Sequence, residues 1–503
     1  MSENHQLHLE IRYLSSALDG RKLYDGLSPW APCSPVHAAD KLEYLGRVAS
    51  LLAWSAESQS AAATALVERH RISLLVYSAD SPADDSPIPD LTPKIFESDS
   101  PVSARSFTHR TRILQYGLHL VGEGSLSIRE LHRWFLRTHT TAFRRRFSAF
   151  TSRWSARRDV ADALIGFQAD GSKTTSLRGG ISFEEYLHEH IFAAMPQLTG
   201  ETGSILKTLD ASTFPLWIRL IGVALREIRR GLGDSSDELM ADLEHVYVWT
   251  HILAILCRNN TLEELFGSGY ISSSCYSCNF SWVPPDGIPS DTFILDANYL
   301  LPENLHRHLC SIVSWFRAIA VLGRSKFVST GFDVQIEVVS TPKCAPETDE
   351  FRGLDALFHQ RLVDSDILSS EDCANIPLLA EQYPGVMYPV DKSSVHPEAS
   401  LMLRAASGDV FADSETIPTL WPVATGDRVC CWTCQQLGEL LVDKGTQIHL
   451  NFAHLFCSGW ALPPDVPVAE SVLQELRNAL FERYLEFCRK ELNWFRPLYD
   501  QIW

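Results

Sequence analysis

The chain has 503 residues, of which 45% are hydrophobic and 21% charged, and a formal net charge of −18. That length exceeds one ordinary hydrophobic core and implies two or three domains of globular composition. So acidic a balance argues against general coating of nucleic acid, whose affinity rests on Lys and Arg neutralising phosphates, but it leaves room for a local basic groove.

The start, Met1-Ser2-Glu3-Asn4-His5, is polar and has no signal-peptide run. No stretch reaches the roughly 18 apolar residues that cross a bilayer. Arg219 and Arg226 interrupt 216–228, and Arg317 interrupts 311–322. The expected compartment is the cytosol or nucleus, with no secretion and no membrane, so the 12 Cys are expected as thiols or metal ligands.

Residues 8–78 read as helical, with Leu42, Leu45, Val48, Leu51 and Leu52 at helical spacing. The segment 79–105 holds Pro82, Pro87, Pro89, Pro93 and Pro101 among Ser and Asp, which predicts a disordered loop or linker. Helical patterning returns over 106–166. Within it, the stretch from Arg133 to Arg158 has eight Arg and no acidic residue, with Phe135, Phe143, Phe147, Phe150 and Trp154 interleaved. Arg beside aromatics can grip phosphates and stack bases, so Arg144, Arg145 and Arg146 are candidate substrate contacts, for a single-stranded nucleic acid among others. The competing reading is an amphipathic helix with its aromatics inward.

A Gly/Ser/Thr-rich break at 168–180 precedes helical patterns at 183–195, 214–232 and 238–257. A turn-rich break at 283–289 and a helix over 304–322 follow. Cys275, Cys278, His306, His308 and Cys310 offer a second, structural zinc set, though two His separated by one residue diverge around a helix. Residues 1–325 therefore read as a mainly helical N-terminal region, a candidate surface for a protein partner.

The pattern changes after Lys326. Residues 332–339 alternate and are β-branched, 386–390 offer a second strand, and 447–452 a third. Helical stretches begin at each of two motifs between them, which predicts an α/β sandwich over 326–470. From Ser471, a capping-box start and the stripe Leu473, Leu476, Leu480, Tyr484, Phe487 and Cys488 predict a helix within the C-terminal segment 471–503.

The two motifs are His396-Pro397-Glu398 and Cys431-Trp432-Thr433-Cys434. Pro397 suits the first helical position, which places His396 at a helix entry and Glu398 in its first turn. Cys431 and Cys434 open a helical stretch that stops at Gly445, and a helix N-terminus favours the metal-binding thiolate. One His and two Cys leave a fourth tetrahedral position for water, and Glu398 stands outside the ligand set as a proton carrier, so the pattern points to zinc and hydrolysis. A purely structural zinc would need a fourth ligand, for which Cys430, Cys457, His449 and His454 are available.

These motifs resemble the cytidine deaminase-like superfamily, in which His-x-Glu is followed by Pro-Cys-x-x-Cys. The stretch His-Pro-Glu-Ala-Ser-Leu-Met-Leu at 396–403 is most similar to the OTT-type deaminase-like family, common in fungi. So are Gly426, the cysteine pair, His454 and the run Trp460-Ala461-Leu462-Pro463. The resemblance covers roughly 330–465. It implies a three-layer α/β/α deaminase-like sandwich, zinc at His396, Cys431 and Cys434, and Glu398 as the catalytic proton shuttle. His454 would contact substrate or line the pocket. Cys430 stands where the superfamily has Pro and is an alternative ligand to Cys431, and Asp427-Arg428 replaces a small-plus-basic pair. The expected activity is zinc-dependent hydrolytic deamination of a cytosine or adenine base, free or within a nucleic acid. The alternative is a catalytically silent deaminase-fold protein that binds a ligand or partner.

Overall fold

A computed structural model of the chain describes residues 3–19, 39–55, 61–67, 71–78, 91–97, 107–155, 158–168, 179–198, 208–210, 213–233, 242–267, 302–325, 328, 333–340, 351, 353–365, 368, 372, 374–389, 391, 393–407, 419–420, 424–425, 430–446, 448, 457–463 and 466–499. The protein is mostly helical with small mixed sheets. It divides into two compact units, one of Met1–Ala49, Ser60–Asp84 and Gln335–Trp503, the other of Ser50–Gln59 and Asp85–Val334. The units interleave along the chain, where the sequence reading drew consecutive blocks at 1–325, 326–470 and 471–503. The first helix and the last belong to the unit that carries the His396 and Cys431 motifs.

That first unit is built on an antiparallel hairpin, Ala61–Val67 against Arg71–Ser78, paired from Ala61↔Ser78 to Val67↔Ile72. The strand Asp333–Ser340, expected from its alternation, lies on the far side of Arg71–Ser78, and Thr419–Leu420 and Ala424–Thr425 pair with Ala61–Val67. The hairpin corrects the expectation of helix through residue 78. Ala62, Ala63, Thr64 and Ala65 are all fully buried, and such a run of small residues shows no period-two alternation to distinguish strand from helix. Small side chains also let the helix Pro397–Ser407 lie against both strands. A second correction concerns 386–390. Pro384 opens a helical turn, Pro384–Met387, that buries Val386 and Met387 in place of a strand. Of the expected strand 447–452 only Ile448 is described, and the rest lies outside the described residues.

Helix Pro397–Ser407 packs on Trp432–Asp443, which packs on the C-terminal helix Glu470–Tyr499, which in turn packs on Glu3–Ala17. The stripe Leu473, Leu476, Leu480, Tyr484 and Cys488 is buried as its spacing predicts. Tyr13 of the first helix stacks on Phe358 at 4.7 Å and donates to Asp355 Oδ1 at 2.9 Å.

The second unit is helical. Its longest described helix, Phe214–Leu232, packs against Val160–Ile165 and Leu243–Cys257. Gly222 permits the closest approach, since a Cβ there would sit 2.6 Å from Ala161 O and 2.7 Å from Ile165 N. The helix Ile128–Thr138 starts with a capping box between Ser127 and Glu130. The helix expected over 304–322 is present as Pro302–Ile312 and Ser314–Gly323. Within the expected linker 79–105, Lys94–Glu97 is helical, while 79–90 and 98–105 lie outside the described residues. The breaks at 169–178 and 283–289 lie outside them as well.

Candidate metal centre

The strand Ser394–Val395 delivers His396 to the start of helix Pro397–Ser407, and it pairs in parallel with Trp460–Ala461. The His396 carbonyl accepts from Ser400 N at 3.1 Å, so the residue sits in the capping position its sequence predicts. The preceding loop is held from a distance. Arg12 of the first helix pairs with Asp391 and donates from Nε to Ser393 Oγ at 3.0 Å, and Asp391 also accepts from Ser393 N at 3.0 Å. The Arg12 and Asp391 side chains are 6% and 7% exposed. The same helix reaches the partner strand. Ser15 Oγ donates to Trp460 O at 3.1 Å and accepts from Trp460 N at 3.0 Å, and Asp19 Oδ1 accepts from Gly459 N at 3.2 Å.

Cys431 caps the second helix. Its Sγ accepts the Cys434 N–H at 3.4 Å, and one turn brings the Cys434 side chain round to the same side. The helix ends at Asp443, and Gly445 follows at φ 92°, the left-handed position glycine favours. Thr433 Oγ1 lies 3.2 Å from the buried Cys457 Sγ, which ties this helix start to the bridge between Asp19 and Cys457.

These two helix starts bring His396, Cys431 and Cys434 together. Both sulfurs lie 3.4 Å from His396 Nδ1, and all three donor atoms fall within 4.8 Å of one another. For a tetrahedral ion with zinc-like bonds, the S···N edge is about 3.5 Å. The donors are therefore spaced as ligands around one ion, and the group could hold a metal ion. The set contains Cys431 and not its neighbour Cys430. Among the described residues, neither Cys457 nor any further His, Cys, Asp or Glu joins it. His449 and His454 lie outside the described residues, as do Gly426, Asp427 and Arg428.

Burial governs the electrostatics. Cys434 is fully buried, and desolvation pushes its thiol well above the usual range, with Cys431 and then Glu398 adding to the rise. Desolvation thus outweighs the helix N-terminus expected to favour the thiolate. Loss of these protons is instead linked to arrival of a cation. Glu398 is 6% exposed in the first turn of the helix that His396 precedes, its negative charge adds to the rise at Cys430 and Cys434, and it is not among the three donors.

Arg144, Arg145 and Arg146 are half-buried residues of the helix Thr140–Arg153 in the other unit, and Arg144 Nη2 donates to Leu232 O at 2.6 Å. Phe135, Phe143, Phe147, Phe150 and Trp154 of the same stretch are all buried, so their rings form core and not a platform for bases. The proposed second zinc set is not assembled among the described residues. His308 Nδ1 accepts from Trp154 Nε1 at 2.9 Å, Cys310 Sγ is 3.7 Å from His306 Nε2, and Cys275 and Cys278 lie outside the described residues.

Sequence reasoning missed Arg12, Ser15, Asp19, Asp391 and Ser393, which brace the metal group. Their partners lie hundreds of residues away, and no local spacing marks them. No protein-family model, no curated protein and no solved structure matches the chain, so the functional argument rests on the residues of this site.

Proposed function

We propose that this protein is a zinc-dependent hydrolytic deaminase acting on a nucleobase, free or in a nucleic acid. The observation that carries the reading is the trio of His396, Cys431 and Cys434 at metal-ligand spacing, with the buried Glu398 two residues after His396 in the first turn of its helix. A nitrogen and two thiolates suit zinc, and three protein donors are the number found in catalytic zinc sites. When bound there, zinc supplies a Lewis acid that brings water toward ionisation at neutral pH.

The chain's own residues would do the rest. Glu398 takes one proton from water and passes it to the ring nitrogen next to the amine-bearing carbon, then takes the second from the hydroxyl added to that carbon and delivers it to the amine, which leaves as ammonia as the carbonyl forms. Net reaction is water plus amine giving carbonyl plus ammonia. Burial of Glu398 and the thiols excludes bulk water from that proton transfer. Arg12 and Asp391 fix the loop that aims His396.

The test is ammonia release from cytidine, adenosine and a single-stranded oligonucleotide, measured beside zinc content. Wild type is expected to hold zinc and release ammonia from at least one of them. Glu398→Gln is expected to keep zinc and release none. Equal behaviour of wild type and Glu398→Gln, both loaded with zinc, removes the enzyme reading and leaves a metal-bearing binding protein.

A further inference from the structure

A cleft of about 690 Å³ opens within the helical unit, and none of its lining residues belongs to the metal group. That volume suits a small organic ligand. Its walls are helix faces with a regular pattern. Arg317, Ala320, Val321 and Arg324 recur at helical spacing along Ser314–Gly323 and its C-cap, and His251, Ala254, Ile255 and Arg258 do so along Leu243–Cys257 and its C-cap. Each face is apolar in the middle and cationic at the end. Helix Ile128–Thr138 adds Ile128 and Arg129, and Phe316 supplies an aromatic wall.

Four guanidinium groups, on Arg129, Arg258, Arg317 and Arg324, thus line a cleft in which Glu184 is the one carboxylate among the described lining residues. Glu184 Oε1 is 3.8 Å from His251 Nε2 and 3.9 Å from Arg324 Nη2. Burial holds His251 down to about 4 and His132 down to about 3, so both are neutral at pH 7 and the cleft's positive charge comes from arginine. Arg258 and Arg324 are C-cap residues, where a cation also complements the helix dipole. Capping accounts for those two and not for Arg129 or Arg317. Arg129 is pre-positioned. Its Nη2 donates to Glu244 at 2.6 Å, its guanidinium lies 4.5 Å from the Tyr186 ring centroid, and its buried Nε makes no hydrogen bond.

We infer that this cleft binds a small organic oxyanion, a phosphate monoester or carboxylate joined to a planar apolar group. Arginine forks match the oxygens of either anion, and the apolar middle of the cleft takes the ring. Neither arginines nor apolar wall alone selects such a molecule; the combination does.

Titration calorimetry on the full chain tests this with naphthyl phosphate, naphthoate and neutral naphthol. At least one of the two anions is expected to saturate a single site, and which one does so names the oxyanion. Naphthol is expected to bind at least about tenfold more weakly. The double variant Arg258→Ala/Arg324→Ala should lose about tenfold or more in anion affinity with an unchanged circular dichroism spectrum. If that variant misfolds, Val321→Trp, which fills the apolar wall, should abolish binding instead. Failure of both anions to saturate overturns the inference. So does naphthol binding as tightly as the anions, or unchanged anion affinity in folded variants.

Discussion

The two units use histidine and cysteine for opposite ends. In the first, His396 faces two buried sulfurs at 3.4 Å, and the buried Glu398 follows in the first turn of the adjoining helix. In the second, His132 stacks on Phe316 at 3.8 Å and donates from Nε2 to its carbonyl at 2.8 Å, while His139 stacks on Phe135 at 4.0 Å and bonds its carbonyl at 2.9 Å. Cysteine divides likewise, since Cys310 lies near the His306 ring and the Cys257 carbonyl but belongs to no group of three metal-ligand atoms among the described residues. A buried histidine or cysteine is thus no sign of a metal site by itself. What separates the units is convergence: three ligand atoms from two helix starts against rings absorbed singly into an aromatic core.

If that contrast is right, damage to the first unit should read out in metal content as well as in unfolding, and damage to the second in unfolding alone. The largest expected effect is from Arg12→Met. It leaves Asp391 buried without its cation and frees the loop before His396, so stability should fall by about 3–5 kcal/mol. Zinc retained after dialysis should fall with it, and full retention would show that the brace does not position the ligand. Next is Gly222→Val. The new side chain would meet backbone atoms of Ala161 and Ile165 that cannot rotate away, at a cost of about 3 kcal/mol read by denaturant unfolding. A neutral result would mean that the two helices lie further apart.

The histidines of the second unit give a pH signature. Burial lowers His132 and His139 from 6.5 to about 3. The unfolded chain therefore binds protons more readily between those values. The contribution of the neutral rings is full above about pH 6.5 and declines as pH falls toward 3, by up to about 1.4 kcal/mol per pH unit for each histidine. Replacing His132 by Phe should flatten that slope in unfolding curves taken from pH 7 to 4, and an unchanged slope would place the proton uptake elsewhere. The smallest effect is that of Ser127→Ala, which removes a cap from an exposed helix start and should cost about 1 kcal/mol with no change in metal content.

Much of the site was legible because its signals are local. Pro397 marks one helix entry, Cys431 and Cys434 span one turn of another, and Gly445 stops it. The C-terminal stripe and the Phe214–Leu232 helix were legible for the same reason, an apolar face repeated over several turns. The hairpin at 61–78 was not, because Ala61–Val67 is small on both faces and carries no alternation. Val386 and its neighbours suggested a strand from β-branched content, and Pro384 with its helical first turn decided otherwise. The interleaving of the units and the brace from Arg12 to Asp391 depend on pairings nearly the full length of the chain apart, which leave no mark on neighbouring residues. Convergence of the four arginines on one cleft was hidden for the same reason.

Zinc-edge X-ray absorption on the purified full chain tests the central claim most directly. The account predicts one zinc per chain with two sulfur neighbours at about 2.3 Å and an imidazole nitrogen at about 2.0 Å, and loss of that signal in Cys434→Ala. A protein without bound zinc, or zinc with no sulfur in its coordination sphere, would contradict it.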